Sequence, residues 1–268
     1  MRLAKKNASL LRTTLLLVCS FWSFRISLAS APVAPLTFSF ESWTYENVTF
    51  PYRKAVIATG SGQPTPILVV YLHGGPKRGN DNVLQMQEQA IFTIAGYLKE
   101  RNIHAVMLVP QCPDSLTWGV ETNEAVRQLI EDYTERGEVD AHRIYLLGGS
   151  MGGTGTWLMA SAYPCLFAAV MPVAGNPETA DSDRVANTPV YTVMGSNDRL
   201  MTVPRVVDFV ERLKGKGGEA IMDVENGWGH VQTCTDSYTP QRLDWIFSHT
   251  RQYECDQIKD VNNSNKKK

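Results

Sequence analysis

The sequence predicts an α/β fold, a mostly parallel sheet covered by helices on both faces. Two observations predict it. Short apolar runs alternate along the chain with longer amphipathic stretches, the pattern of strands joined by crossover helices. Runs such as Pro66-Ile67-Leu68-Val69-Val70-Tyr71-Leu72 also lack polar residues at every second position. Their strands must therefore be covered on both sides, as in parallel sheets.

The elements follow in order. Thr37 to Trp43 and Val48 to Ile57 read as antiparallel opening strands, and the run ending at Leu72 as the first central strand. Asn82 to Arg101 reads as a helix, Ala105 to Val109 as a strand and Val120 to Arg136 as a helix. Arg143-Ile144-Tyr145-Leu146-Leu147 is a buried strand, followed by a helix from Thr154 to Tyr163. Ala168 to Val173 and Pro189 to Met194 are strands, and Val203 to Lys214 is a helix. The strand Ala220 to Val224 and the helix Gln241 to Ser248 close the domain. No internal repeat and no second domain are visible, and the stretch between Gly175 and Pro189 is too short for a large lid.

The chemistry is carried by Gly148-Gly149-Ser150-Met151-Gly152, a G-x-S-x-G pattern seated between strand and helix. A turn this tight strains its central residue and exposes the serine hydroxyl. A serine needs a base to take its proton. In this arrangement the acid and the histidine follow the serine in the chain. Of the five histidines, only His230 and His249 lie beyond Ser150. His230 sits in the Gly-rich stretch Asn226-Gly227-Trp228-Gly229-His230 after a strand, and is expected in a loop that reaches the serine. His249, at the end of a helix, is expected to serve its C-terminus. Asp198, in the turn Gly195-Ser196-Asn197-Asp198 after a strand, is the expected acid. The competing reading has Asp198 capping the next helix, but Thr202 with Pro204 behind it can serve there. Asp181 and Asp183, in a surface loop, and Asp223, within a strand, are weaker rivals.

An oxyanion needs two backbone N–H donors. Met151 follows the nucleophile and supplies one. The segment His73-Gly74-Gly75-Pro76 supplies the other at Gly75, since Pro76 has no N–H. His73 is expected to brace that loop. Gln111 and Trp228 are expected to border the pocket. Trp43 and Trp118 could join Trp228 in a platform for a sugar or phenolic ring, or all three could simply pack.

With these residues assembled, the chain resembles compact secreted esterases of the α/β-hydrolase superfamily. The likeness is to the polyhydroxybutyrate-depolymerase, feruloyl-esterase and prolyl-oligopeptidase-like group. It rests on Tyr71 to Asn82, Val109-Pro110-Gln111-Cys112-Pro113 and Asp140 to Trp157, and spans about Phe38 to Ser248. The resemblance implies Ser150, Asp198 and His230 as a catalytic triad acting on carboxylic esters. It further implies acetyl or feruloyl groups on polysaccharide, or a polyester, as substrates. Met194 stands where such proteins often place a histidine, and Val231-Gln232-Thr233-Cys234 departs from their usual continuation. The alternatives are a serine peptidase of prolyl-oligopeptidase type and a non-catalytic binding protein on a hydrolase scaffold. The complete Ser, Asp, His order argues against the last.

The beginning of the chain has a different character. Arg2, Lys5, Lys6 and Arg12 precede the apolar stretch Thr13 to Phe24, and small residues follow at Ser27-Leu28-Ala29. This is the layout of a secretory signal peptide, with cleavage expected after Ala29. Ala31 also fits that pattern, and an uncleaved N-terminal anchor is the alternative. The expected division is a signal peptide over 1–29, a catalytic domain over 30–255 and a disordered polar and basic tail over 256–268. Without residues 1–29 the net charge moves from −1 to −6, with 21 basic residues against 27 acidic. A mildly acidic exported protein points away from nucleic acid and anionic membranes as partners. Cys112, Cys165, Cys234 and Cys255 could pair in three ways or remain thiols, and a Cys234–Cys255 bridge would tie down the His230 segment. With no ligand-spaced His/Cys cluster, neither a metal nor a cofactor is expected. Asn47-Val48-Thr49 is a glycosylation sequon.

Overall fold

The computed structural model describes residues 36–251, apart from 47, 59 and 61. The signal-peptide expectation, the tail, Cys255 and Asn47 all lie outside the described residues.

The strands are β1 (Ser39–Tyr45), β2 (Val48–Ile57), β3 (Ile67–Leu72), β4 (Ala105–Pro110), β5 (Ile144–Gly149), β6 (Ala169–Val173), β7 (Val190–Gly195) and β8 (Ala220–Glu225). They form an eight-stranded sheet in the order β1-β2-β4-β3-β5-β6-β7-β8. Only the pairs β1–β2 and β2–β4 are antiparallel; from β4 to β8 every pair is parallel. This is the mostly parallel sheet that the apolar runs predict, and the α/β-hydrolase fold that the resemblance implies. The helices are α1 (Gln89–Glu100), α2 (Val120–Glu135), α3 (Met151–Ala162), α4 (Ser182–Val185), α5 (Val203–Gly215), α6 (His230–Asp236) and α7 (Pro240–Ser248).

The unbroken apolar runs divide by parity. Leu68, Val70 and Leu72 of β3 pack with Val126 and Leu129 of α2, Trp157 of α3 and Phe209 of α5 on one face. Ile67, Val69 and Tyr71 pack with Ile91 and Ile94 of α1 and Leu243 and Ile246 of α7 on the other. Each β3 side chain is fully buried, so the strand has no solvent face and needs no polar alternation. β3 and β5 are neighbours, yet the chain passes through β4 between them. Their carboxyl ends mark the point where strand order reverses, the usual place for a site in such sheets.

Three departures from expectation lie next to the site. The helix expected from Asn82 begins only at Gln89. The Asp81 carboxylate accepts the N–H groups of Val83 and Leu84, Asn82 takes a φ of 55°, and a 3-10 turn spans Leu84–Gln87. A side chain competing for backbone donors delays the helix. The helix after Ser150 starts at Met151 rather than Thr154, with Ser150 itself as its N-cap. His230 is not in a loop: it is the first residue of α6, a helix absent from the sequence reading.

Candidate active site

The site is built where β3, β5, β7 and β8 end. Ser150 joins β5 to α3 with φ 59° and ψ −121°, a conformation costly for a residue with a side chain. It persists because the flanking elements are pressed together. A Cβ on Gly152 would lie 1.8 Å from the Leu72 carbonyl oxygen, and one on Gly148 would lie 2.5 Å from the Gly152 carbonyl oxygen. Glycine is required at both positions, so the pattern read from the sequence is a steric condition for bringing α3 against β3.

The structure brings Ser150, His230 and Asp198 together. His230 Nε2 stands 2.8 Å from Ser150 Oγ, and its Nδ1 is 2.7 Å from Asp198 Oδ2. The Asp198 side chain is wholly buried and that of His230 is 13% exposed. Asp198 also serves its own turn. Its Oδ1 accepts the N–H groups of Leu200 and Met201 at 2.8 and 3.0 Å. Asp198 therefore holds the turn before α5 with one oxygen and faces His230 with the other, and it does not cap the helix. Thr202 is the α5 N-cap position but makes no side-chain cap; its N–H is taken by Asn176 Oδ1. The rival acids are engaged elsewhere: Asp181 caps α4, Asp183 pairs with Lys216, and Asp223 binds Tyr191 and Arg242. His249 sits at the end of α7, its Nδ1 on the Trp245 carbonyl, and its own carbonyl accepts from Tyr145 near the start of β5. That is the opposite end of β5 from Ser150.

Gly75 and Met151 adjoin across the site: a Cβ on Gly75 would lie 4.0 Å from Met151 Sδ. Pro76 occupies the first turn of a short 3-10 segment, Gly75–Lys77. His73 braces this loop, as expected. It is fully buried, its Nε2 accepts the Cys112 N–H at 2.9 Å, and its Nδ1 lies 2.8 Å from the Gly74 carbonyl oxygen, to which it donates. Burial, with the nearby Arg78 and Lys77 charges, drives its pKa down to about 4. It is a neutral strut, not a base.

Two pocket expectations are corrected. Gln111 is fully buried. Its Oε1 accepts the Asn82 N–H and its Nε2 donates to Asp81, so it shapes the 77–82 loop from beneath and presents nothing to a substrate. Trp118 is buried, donates its indole N–H to the His73 carbonyl, and meets the His73 ring edge-on. Trp43 packs against the core beside α2, so no three-tryptophan platform exists. Trp228, two residues before His230, is half-buried, and its carbonyl accepts the Asn197 N–H, which ties the His230 segment to the Asp198 turn.

The thiols are also placed. Among the described residues Cys112 and Cys234 carry free thiols. The Cys234 Sγ lies 3.9 Å from His230 Nε2, one helical turn along α6. Burial pushes both thiols up to about 12, which keeps them protonated and poorly nucleophilic. One residue beneath the site carried no sequence signal. Glu88 Oε1 accepts the Gly74 N–H at 2.7 Å and its Oε2 accepts the Tyr71 hydroxyl at 2.8 Å. The sequence reading put Glu88 inside the helix expected from Asn82, so neither its place before α1 nor its reach back to the β3 loop was visible there. Among the described residues there is no cluster of metal-ligating side chains.

The model of the dienelactone hydrolase family matches residues 107–257, more than half of the chain. The chain belongs to the dienelactone hydrolase family. Two relatives are more specific in what they do. A poly(3-hydroxyalkanoate) depolymerase C of Paucimonas lemoignei is 29% identical over 133 residues, 44% of this chain and 30% of the relative. A bifunctional acetylxylan esterase/xylanase of Neocallimastix patriciarum is 29% identical over 101 residues, 37% of this chain and 15% of the relative. The chain thus spans less than a third of either. Among solved structures, a thermostable esterase superposes with a TM-score of 0.74 at 26% identity, over 80% of this chain and 63% of that one. Within the family's matched region lie Ser150, Asp198 and His230; the β3 loop precedes it.

Proposed function

We propose that this member of the dienelactone hydrolase family is an exported serine hydrolase that cleaves carboxylic esters through an acyl-enzyme. The observation that carries the reading is the unbroken chain from Ser150 Oγ through the His230 ring to Asp198, at 2.8 and 2.7 Å. Ser150 Oγ attacks the ester carbonyl carbon while His230 Nε2 takes its proton. Asp198 holds the imidazole with Nδ1 protonated and stabilises the imidazolium. The N–H groups of Met151 and Gly75 receive the oxyanion. His230 then returns the proton to the departing alcohol, and water, activated by the same imidazole, releases the acid.

The names of the relatives favour acyl esters carried on a polymer, either a polyester or an acylated polysaccharide. The form of the site agrees. The connection from β6 to β7 carries only the four-residue α4, so no large cap stands between them, and a site without one suits the surface of a bulky substrate.

The test is hydrolysis of p-nitrophenyl acetate by the chain lacking residues 1–29, beside Ser150→Ala and His230→Ala. Each variant is expected to lose kcat by at least about 10⁴-fold while remaining folded. Acetylated xylan, feruloylated arabinoxylan and poly(3-hydroxybutyrate) films would then rank the substrates. Wild-type activity surviving in both variants, or turnover of a chromogenic peptide amide with none of any ester, would overturn the reading.

A further inference from the structure

Glu88 is the N-cap residue of α1, yet its side chain makes no cap to that helix. Both carboxylate oxygens are instead spent on β3 and the loop after it, one on the Gly74 N–H and one on the Tyr71 hydroxyl. The loop it grips is wedged against the nucleophile: a Cβ on Gly74 would lie 3.2 Å from Glu88 Oε1 and 3.4 Å from the Ser150 Cβ.

The consequence follows from the planarity of the peptide bond. The Gly74 carbonyl and the Gly75 N–H belong to one trans peptide unit, so they point in opposite directions. The Gly74 carbonyl is held by the His73 Nδ1–H at 2.8 Å and by the Lys77 N–H at 3.1 Å. The preceding peptide unit is held by Glu88 through the Gly74 N–H at 2.7 Å. With the units on both sides of the Gly74 Cα fixed, the direction of the Gly75 N–H is fixed too. Glycine at position 74 has no side chain to restrain it, so these bonds supply the restraint that sequence does not.

We propose that Glu88 is a positioning residue for the oxyanion hole: its carboxylate clamps Gly74 and thereby aims the Gly75 N–H at the oxygen of the reacting carbonyl. The proposal rests on the esterase reading and adds a residue to it. Glu88 touches no substrate atom. It acts on the transition state through the backbone, so its loss lowers kcat more than it raises KM.

Glu88→Ala removes the clamp. Glu88→Gln keeps an amide oxygen for the Gly74 N–H and turns its amide nitrogen toward the Tyr71 hydroxyl oxygen, which can accept. With p-nitrophenyl acetate, Glu88→Ala is expected to lose about 30- to 100-fold in kcat, with KM within about twofold, below the full cost of a deleted oxyanion donor. Glu88→Gln is expected to stay within about threefold of wild type. Hydrogen–deuterium exchange supplies an arm independent of turnover. The backbone of residues 73–78 should exchange about tenfold faster in Glu88→Ala and at the wild-type rate in Glu88→Gln. Unchanged kcat in Glu88→Ala, a loss confined to KM, or a Gln variant as impaired as Ala would each overturn the proposal. Wild-type protein inactive on every ester would sink the esterase reading instead, and the exchange rates of 73–78 would then decide the clamp alone.

Discussion

Asp198 divides its work between two oxygens. Oδ1 holds the Leu200 and Met201 N–H groups and Oδ2 faces His230 Nδ1. The division makes Asp198→Asn an informative change. The amide oxygen can keep the turn, which leaves the amide nitrogen facing His230. A donor there forces Nδ1 to accept, so the proton moves to Nε2, and Nε2 can no longer take the Ser150 proton. The expected result is a fall in kcat of about 10⁴-fold with the fold retained. Circular dichroism and p-nitrophenyl acetate kinetics check it, and a kcat within tenfold of wild type would remove Asp198 from the mechanism. The same division shows what one residue discloses in sequence. Ser150, Asp198 and His230 were legible because each follows a readable strand and keeps the order Ser, Asp, His. Gln111 was misread because a position after a strand end does not say which way the side chain turns. Here the 77–82 loop folds over it and takes both ends of the amide.

At the level of elements, the strands were legible and some helix boundaries were not. Long apolar runs fixed β3, β4 and β5 to within a residue or two, because wholly buried strands tolerate little else. The start of α1 was obscured because Asp81 and Asn82 redirect the backbone through bonds whose partners lie both locally and just beyond β4, at Gln111. The helix α6 was hidden by Gly227 and Gly229 just before it, which read as loop; Gly229 is in fact its N-cap. Glycines themselves separate into two kinds that sequence cannot tell apart. In α3, a Cβ at Gly152 would lie 1.8 Å from the Leu72 carbonyl oxygen, whereas in α1 a Cβ at Gly96 would meet nothing within 4 Å. Gly152→Ala must therefore push α3 off β3 and distort Ser150. It is expected to lower Tm by roughly 5 °C or more and to abolish activity. Gly96→Ala is expected to raise stability by about 0.5–1 kcal/mol, by reducing the freedom of the unfolded chain. Thermal melts of the two variants measure both. Equal melting temperatures would mean that the β3–α3 contact yields freely.

For the whole molecule, the sheet separates two apolar layers, and the loops at one end bring Ser150, Asp198 and His230 together, with His73 buried near them. That placement gives the protein a dependence on pH. His73 has an ordinary imidazole value of 6.5 when unfolded and about 4 when folded. Between those values the unfolded chain binds a proton that the folded protein refuses, so stability is full above pH 6.5 and falls as pH drops towards 4. Glu124 adds to the same trend at lower pH. Hydrogen bonds from Arg127, and further ones from Tyr163 and Gln128, hold its carboxyl at about 2 rather than 4.5, so its contribution is present above 4.5 and is lost as pH falls towards 2. The two windows are distinct, and the first belongs to the residue that braces the loop after β3. One pH unit below 6.5, the His73 contribution lost is about 1.4 kcal/mol, a Tm decrease of roughly 3–6 °C for a domain of this size. In His73→Gln the side chain no longer titrates. That variant should be less stable throughout, since the Cys112 and Gly74 bonds are disturbed, yet its Tm should change less between pH 7.5 and 5.5 than that of the wild type. Differential scanning calorimetry across that interval decides the matter: parallel curves for the two proteins would mean that His73 takes up its proton as readily in the folded state as in the unfolded one, and the buried strut would not be neutral.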